Sequence, residues 1–216
     1  MINLATFREA LHDAPIVPVL TVTAVEHAAP LARALISGGL KSAEVTLRTD
    51  AALDVISEMK ATEPDLVVGA GTIVSEGDVD AALKAGADFL VSPGASPDLL
   101  KALAYHDGVI LPGVSTASEA MARFEEGYGV LKFFPAEAAG GANFLKSLAG
   151  PLPHIDFMPT GGVKPHNALD YLSLPNVIAA GGTWIASPTE MEAGDWAGIE
   201  AKVREASGLG KGNSHD

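Results

Sequence analysis

Three features of this sequence predict an α/β fold, a single (β/α)8 barrel of the TIM type preceded by an N-terminal helix. Short apolar runs alternate with helical stretches about eight times along the 216 residues. The connections are short and composition does not change along the chain, so one domain is the economical reading. No Gly-x-Gly-x-x-Gly fingerprint follows the first apolar run, which counts against the runner-up, a doubly wound open sheet. The expected domain spans residues 1–207, N-terminal helix included, and residues 208–216 form an expected flexible, polar, glycine-rich tail.

Each element has a local reason. Leu4, Phe7 and Leu11 recur at helical spacing within Met1–Asp13. Ile16–Leu20 is a short apolar strand, and Val25–Ser37 is a helix stopped by Gly38-Gly39. Ala43–Leu47 is the next strand, followed by a helix from Asp50 to Lys60 with Thr49 or Asp50 as N-cap. Leu66–Gly71 is a strand, and the helix Glu76–Ala85 ends at Gly86. Phe89–Ser92 is a strand, and Pro97, at a favoured first-turn position, opens a helix to Tyr105. Val109–Leu111 leads to the helix Thr116–Glu126, where Ser115 or Thr116 with Glu119 resembles a capping box. Val130–Pro135 is a strand, then come a helix near Ala142–Ala149, the strand Ile155–Met158 and a helix around Pro165–Leu172. Val177–Ala180 is the last strand and Asp195–Ala206 the last helix.

Composition narrows the function classes. Hydrophobic residues make up 48% of the chain, enough for a large core. There is no cysteine, so no disulfide framework, and a reducing cytoplasmic compartment fits. The N-terminus lacks a basic region followed by an apolar run, and no apolar run approaches the ~18 residues of a membrane span, so neither a secretory signal nor a membrane partner is expected. A net charge of −13 argues against nucleic acid. Any anionic substrate must then meet a locally positive site built from a few Arg or Lys residues and helix N-termini.

The most informative stretch is Val130-Leu131-Lys132-Phe133-Phe134-Pro135. Alternation places Val130, Lys132 and Phe134 on one face and Leu131 and Phe133 on the other. Both faces are otherwise apolar, as in a strand covered on both sides. Burial disfavours the charged form of a lysine, and a neutral amine can form a Schiff base with a carbonyl. Glu44, Thr46 and Arg48 share one parity, and Thr72 follows the third strand with the parity of Val68 and Ala70. At the C-terminal ends of barrel strands these groups converge. Lys132 would attack a ketone, Glu44 would move protons, the fork of Arg48 suits a carboxylate, and Thr72 adds a hydrogen bond. A buried structural ion pair also accounts for Glu44 and Lys132, and a solvated loop position for Arg48. Thr160-Gly161-Gly162 and Gly181-Gly182-Thr183 follow the seventh and eighth strands, where barrels often bind phosphate. Tight turns without a ligand are the alternative. By this reading none of the six histidines ends a strand, which favours lysine chemistry over metal chemistry, with no metal and no cofactor expected.

The motifs Glu44–Thr49, Gly69–Thr72, Leu131–Glu137 and Pro159–Val163 resemble the 2-dehydro-3-deoxy-phosphogluconate aldolase family, which includes 4-hydroxy-2-oxoglutarate aldolases. The resemblance runs from about Ile16 to about Ala206. It implies a class I aldolase, a homotrimer, cleaving 2-dehydro-3-deoxy-6-phosphogluconate to pyruvate and D-glyceraldehyde 3-phosphate in the Entner–Doudoroff pathway. It implies Lys132 as the Schiff-base residue and Glu44 as acid/base. Arg48 and Thr72 would hold the pyruvate carboxylate, with Phe134 lining the site and Thr160 beside it. Gly161, Gly162, Gly181 and Gly182 would hold the phosphate, with Thr183 where the family usually has serine. Activity on 4-hydroxy-2-oxoglutarate and oxaloacetate is a further expectation. A non-covalent phosphosugar isomerase or synthase on the same barrel is the alternative, and a non-enzymatic binding protein the third reading.

Overall fold

The computed structural model describes residues 1–210. Helix α1 (Leu4–His12) precedes strand β1 (Ile16–Leu20), after which strands and helices alternate: α2 (Ala28–Gly38), β2 (Ser42–Thr46), α3 (Ala52–Thr62), β3 (Val67–Gly71), α4 (Glu76–Lys84), β4 (Phe89–Val91) and α5 (Pro97–Leu103). Then come β5 (Val109–Leu111), β6 (Gly113–Val114), α6 (Ala117–Glu125), β7 (Val130–Phe133), α7 (Gly141–Ala149), β8 (Asp156–Pro159), α8 (Ala168–Leu172), β9 (Ala180–Gly182), α9 (Pro188–Glu192) and α10 (Trp196–Ser207). Every strand pairing is parallel. The curled sheet falls into two segments, six strands in the order β5-β4-β3-β2-β1-β9 and three in the order β6-β7-β8. A single eight-stranded sheet, as the sequence predicts, is therefore found only in part.

The break between segments lies at Pro112, which has no N–H to give to a ladder. β5 pairs with β4, and one residue later β6 pairs with β7, with Gly113 opposite Lys132. Gly113 is required there, because a Cβ would lie 2.3 Å from the Pro93 carbonyl group.

The sheet separates two cores. Outward-facing residues such as Val45, Val68, Leu90, Leu131 and Phe133 pack against the apolar stripes of the helices. Inward-facing Val17, Val67, Phe89, Val109, Val130, Met158 and Ala179 form a second cluster with Phe7, Ala10 and Leu11 of α1. Thus α1 lies under the concave face and stoppers its N-terminal end. The Phe7 and Phe89 rings are 4.9 Å apart. Asn3 caps α1 through the Thr6 N–H, and Arg8 forms an ion pair with Asp156 at the start of β8.

Helix ends follow the sequence in most places. Gly39 is left-handed (φ 100°), with Leu40 N–H bonded to Leu35 O and Gly39 N–H to Ile36 O, a Schellman ending for α2. Thr116 and Glu119 form the expected capping box of α6. Four expectations change. Neither Thr49 nor Asp50 caps α3, which starts after Ala51, because the Thr49 hydroxyl is bonded to Val22 O instead. α8 starts at Ala168 rather than Pro165, and the last strand is Ala180–Gly182, with only an isolated bridge at Val177. α9, with its own Ser187–Glu190 capping box, fills a stretch the sequence left as connection. Residues 208–210 of the expected flexible tail form a 3-10 turn, and the rest of that tail lies outside the described residues.

Candidate active site

Glu44 enters from the middle of β2 and Lys132 from β7, both on the concave face. Their side chains are 0% and 4% exposed, and Lys132 Nζ donates to Glu44 Oε1 at 3.2 Å. Glu44 Oε2 is buried and has no hydrogen-bond partner among the described residues. The pair fits because β3 carries glycine beside it. A Cβ on Gly71 would lie 2.1 Å from Glu44 Oε1. A Cβ on Gly69, opposite Glu44, would strike the Phe89 ring at 2.3 Å. Small residues on one strand thus admit large ones from its neighbours. The predicted alternation of β7 holds, since Val130 joins the inner cluster and Leu131 and Phe133 the outer one. Phe134 puts its ring centroid 5.2 Å from Lys132 Nζ, a cation–π distance.

Arg48 and Thr72 meet, by a route that strand parity does not give. β2 stops at Thr46, and Arg48 N–H bonds back to Thr46 O at 2.8 Å, so Arg48 sits in a tight turn. Val68 and Ala70 face the outer core, so continued alternation would send Thr72 outward as well. Instead Thr72 has φ 63°, rare for a β-branched residue, and its hydroxyl accepts from Arg48 Nε at 3.1 Å. Such a backbone persists only where its surroundings fix it, and it recurs at ligand clamps. Arg48 is exposed and forms no ion pair among the described residues.

The glycine pairs flank the same end. Thr160 and Gly181 form a parallel bridge. Thr160 is 3% exposed, its hydroxyl has no partner among the described residues, and a Cβ on Gly181 would lie 2.2 Å from it. Gly161 and Gly162 are left-handed (φ 99° and 84°), and Gly161 lies against the Phe134 ring. Gly182 has a packing reason of its own, because a Cβ there would fall 1.9 Å from the Trp184 ring. Thr183 is exposed.

The sequence reading gave no role to Gly71 or Glu137, which it quoted only within motifs, and did not mention Tyr171. Gly71 was detectable as a glycine at inward parity in the strand next to Glu44. Glu137 meets Gly162, and Tyr171 donates to the Glu137 carboxylate, across a separation no local pattern reveals. Of the histidines, His27 lies just past β1, and its ring centroid is 5.9 Å from that of Trp196. No group of three or more His, Asp or Glu residues suited to a metal occurs among the described residues.

With this geometry in place, comparison with known proteins is decisive. The family model for KDPG and KHG aldolase matches residues 7–202. The chain belongs to the KDPG and KHG aldolase family. It is 47% identical to a 2-dehydro-3-deoxy-phosphogluconate aldolase of Pseudoalteromonas atlantica over 92% of this chain and 93% of that one. Among solved structures, the KDPG aldolase of Legionella pneumophila, with pyruvate captured as a covalent carbinolamine, superposes with a TM-score of 0.87 at 38% identity. That match covers 91% of this chain and 96% of the other. The 2-keto-3-deoxy-6-phosphogluconate aldolase of Zymomonas mobilis with 3-phosphoglycerate gives a TM-score of 0.85 at 41% identity, covering 93% and 94%. Aldolases are carbon–carbon lyases. The resemblance carried by the sequence motifs is thus a family relationship over nearly the whole chain.

Proposed function

We propose that this protein is a class I aldolase cleaving 2-dehydro-3-deoxy-6-phosphogluconate to pyruvate and D-glyceraldehyde 3-phosphate, with Lys132 as the Schiff-base residue. The observation that carries this reading is the buried contact between Lys132 Nζ and Glu44 Oε1 on the concave face. Glu44 takes a proton from Lys132, the freed Nζ adds to the C2 ketone, and Glu44 returns the proton with which water leaves the carbinolamine. The resulting iminium draws electrons from the C3–C4 bond as the C4 hydroxyl gives up its proton to the Glu44 carboxylate. The aldehyde departs and leaves an enamine. Protonation at C3 and hydrolysis then free pyruvate and Lys132. Glu44 Oε2, buried and free of protein partners among the described residues, is the oxygen left to carry these protons.

Arg48, exposed and without an ion pair among the described residues, holds the carboxylate together with Thr72, in a chain whose net charge would otherwise repel an anion. Phe134 and Thr160 line the site. Gly161, Gly162, Gly181, Gly182 and Thr183 receive the phosphate through backbone N–H groups and one hydroxyl. The captured carbinolamine of the Legionella relative and the 3-phosphoglycerate of the Zymomonas relative support both halves of this reading. The same iminium serves 4-hydroxy-2-oxoglutarate and drives decarboxylation of oxaloacetate. Pro112 O accepts from Lys132 N–H across the strand break, and bridges at Phe157–Val177 and Thr160–Gly181 join β8 to the β9 region. These bonds support one closed (β/α)8 ring in one domain over residues 1–207. The enzyme works in the Entner–Doudoroff pathway in the cytoplasm, as a homotrimer. Met121 and Phe124, 50% and 41% exposed on α6, supply an apolar flank suited to a subunit contact.

Incubation with pyruvate and borohydride tests the covalent step. A reduced pyruvyl adduct on the Lys132 peptide is the expected mass-spectrometric result. An unmodified Lys132 peptide beside intact turnover overturns the mechanism and returns the site to non-covalent phosphosugar chemistry.

A further inference from the structure

The Gly161–Gly162 turn is built from behind by one residue. Glu137 follows the lysine strand and touches the turn in two ways. Its backbone N–H donates to Gly161 O at 3.0 Å, and its Cβ and Cγ occupy the space a Gly162 side chain would need, 2.7 and 2.5 Å from an ideal Cβ. Only a residue without a Cβ can rest on Glu137 in this way. Asn167 holds the far side of the turn by donating from Nδ2 to Gly162 O at 3.2 Å.

The Glu137 residue is exposed, and its side chain is long. Left free, it would sample many rotamers, and some would swing a carboxylate over the turn. What restrains it is Tyr171 of α8, 1% exposed and fixed by the outer core, whose hydroxyl donates to Glu137 Oε1. Burial, and then the Glu137 contact, raise the Tyr171 pKa, so the phenol stays a donor. A carboxylate released beside an anion site would repel its ligand.

We propose that Tyr171 and Glu137 are positioning residues that fix the Gly161–Gly162 turn and hold a carboxylate away from it, and so set the preference for phosphorylated over unphosphorylated 2-oxo acids. The inference rests on the reading of that turn as part of the phosphate site. Neither residue touches the reacting carbons. Their effect therefore falls on KM for the phosphorylated substrate and not on the bond-breaking step.

The experiment is steady-state kinetics on 2-dehydro-3-deoxy-6-phosphogluconate and its unphosphorylated counterpart, for the native chain, Tyr171→Phe, Glu137→Ala and Glu137→Gln. Tyr171→Phe frees the charged side chain, and raises KM for the phosphorylated substrate by about threefold to tenfold, an effect on the order of one hydrogen bond. Its kcat, and its kcat/KM for the unphosphorylated substrate, stay within about twofold of native. Glu137→Gln keeps an acceptor for Tyr171 without the charge, and retains or improves the native KM. Glu137→Ala removes the Cγ under Gly162, leaving only the Cβ and the backbone bond, and raises KM for the phosphorylated substrate. A Tyr171→Phe enzyme with the native ratio between the two substrates, or one that loses both activities equally, overturns the inference. A native enzyme indifferent to the phosphate overturns instead the reading of the turn, so the two failures are distinguishable.

Discussion

Val130 and Lys132 are neighbours of the same parity on one strand and face the same way, yet their surroundings are opposite. Val130 belongs to the apolar floor, with Phe7, Phe89, Val109 and Met158 around it. Lys132 lies next up the strand, against Glu44 and the Phe134 ring. The same division runs through β3, where Val67 is in the floor and Gly71 makes room beside the ion pair. The lesson is that β7 and β3 each carry two tasks in series. Their first residues close the interior against water, and their last ones seat the polar pair above it.

Lys132→Met tests the upper end most severely. Turnover falls by on the order of 10⁴-fold or more in a retro-aldol assay, as for other lost nucleophiles. Stability falls by about 3–5 kcal/mol, because Glu44 is left as an unpaired buried charge. Adding Glu44→Gln recovers most of that stability and none of the activity, as read by denaturant unfolding of both variants. A single variant as stable as native would mean that the pair is not sealed from water.

Gly71→Ala should come next. Its methyl group cannot coexist with Glu44 Oε1 at 2.1 Å, so the carboxylate must shift. A displacement of about 1 Å at a reacting group costs on the order of 100-fold in kcat. Borohydride trapping with pyruvate reports whether Lys132 still reacts.

Phe7→Ala probes the floor. Removing a fully buried aromatic ring costs about 3–5 kcal/mol, or roughly 10 °C in Tm for a chain of this size. The kcat/KM of the folded fraction at low temperature stays near native. Loss of catalysis out of proportion to stability would show that floor and site are not separable.

The smallest effect lies outside both ends. Lys202 and Ser187 hold the Glu190 carboxyl at about 2, well below the ordinary glutamate value. The depressed folded-state pKa means that this stabilisation is present above about pH 4.5 and is lost as pH falls toward 2. Glu190→Gln flattens that part of an acid-unfolding curve and leaves activity at neutral pH unchanged.

The parts legible in the sequence are those set by local pattern. Alternation placed Val130, Lys132 and Phe134 correctly, Gly38-Gly39 stopped α2 as expected, and Thr116 with Glu119 started α6. The parts that were not legible depend on distant partners. Thr49 abandons a cap for Val22 O, and Thr72 leaves its parity to meet Arg48. Pro112 ends one sheet segment and Gly113 starts the next, and the need for glycine there comes from the Pro93 carbonyl group, twenty residues away. The Tyr171–Glu137 contact joins residues too far apart in the chain for any periodicity to signal.

The seat of α1 under the sheet closes one end of the interior with Phe7, Ala10 and Leu11. In the reaction proposed here the severed aldehyde stands nearer the exit, while the three-carbon fragment is still tethered at depth. The aldehyde must therefore clear the passage first, and pyruvate leaves last. Release in that sequence makes pyruvate a competitive inhibitor against the sugar acid and the aldehyde a noncompetitive one, so the tether sets the order of departure and the closed floor leaves the aldehyde only the upper end.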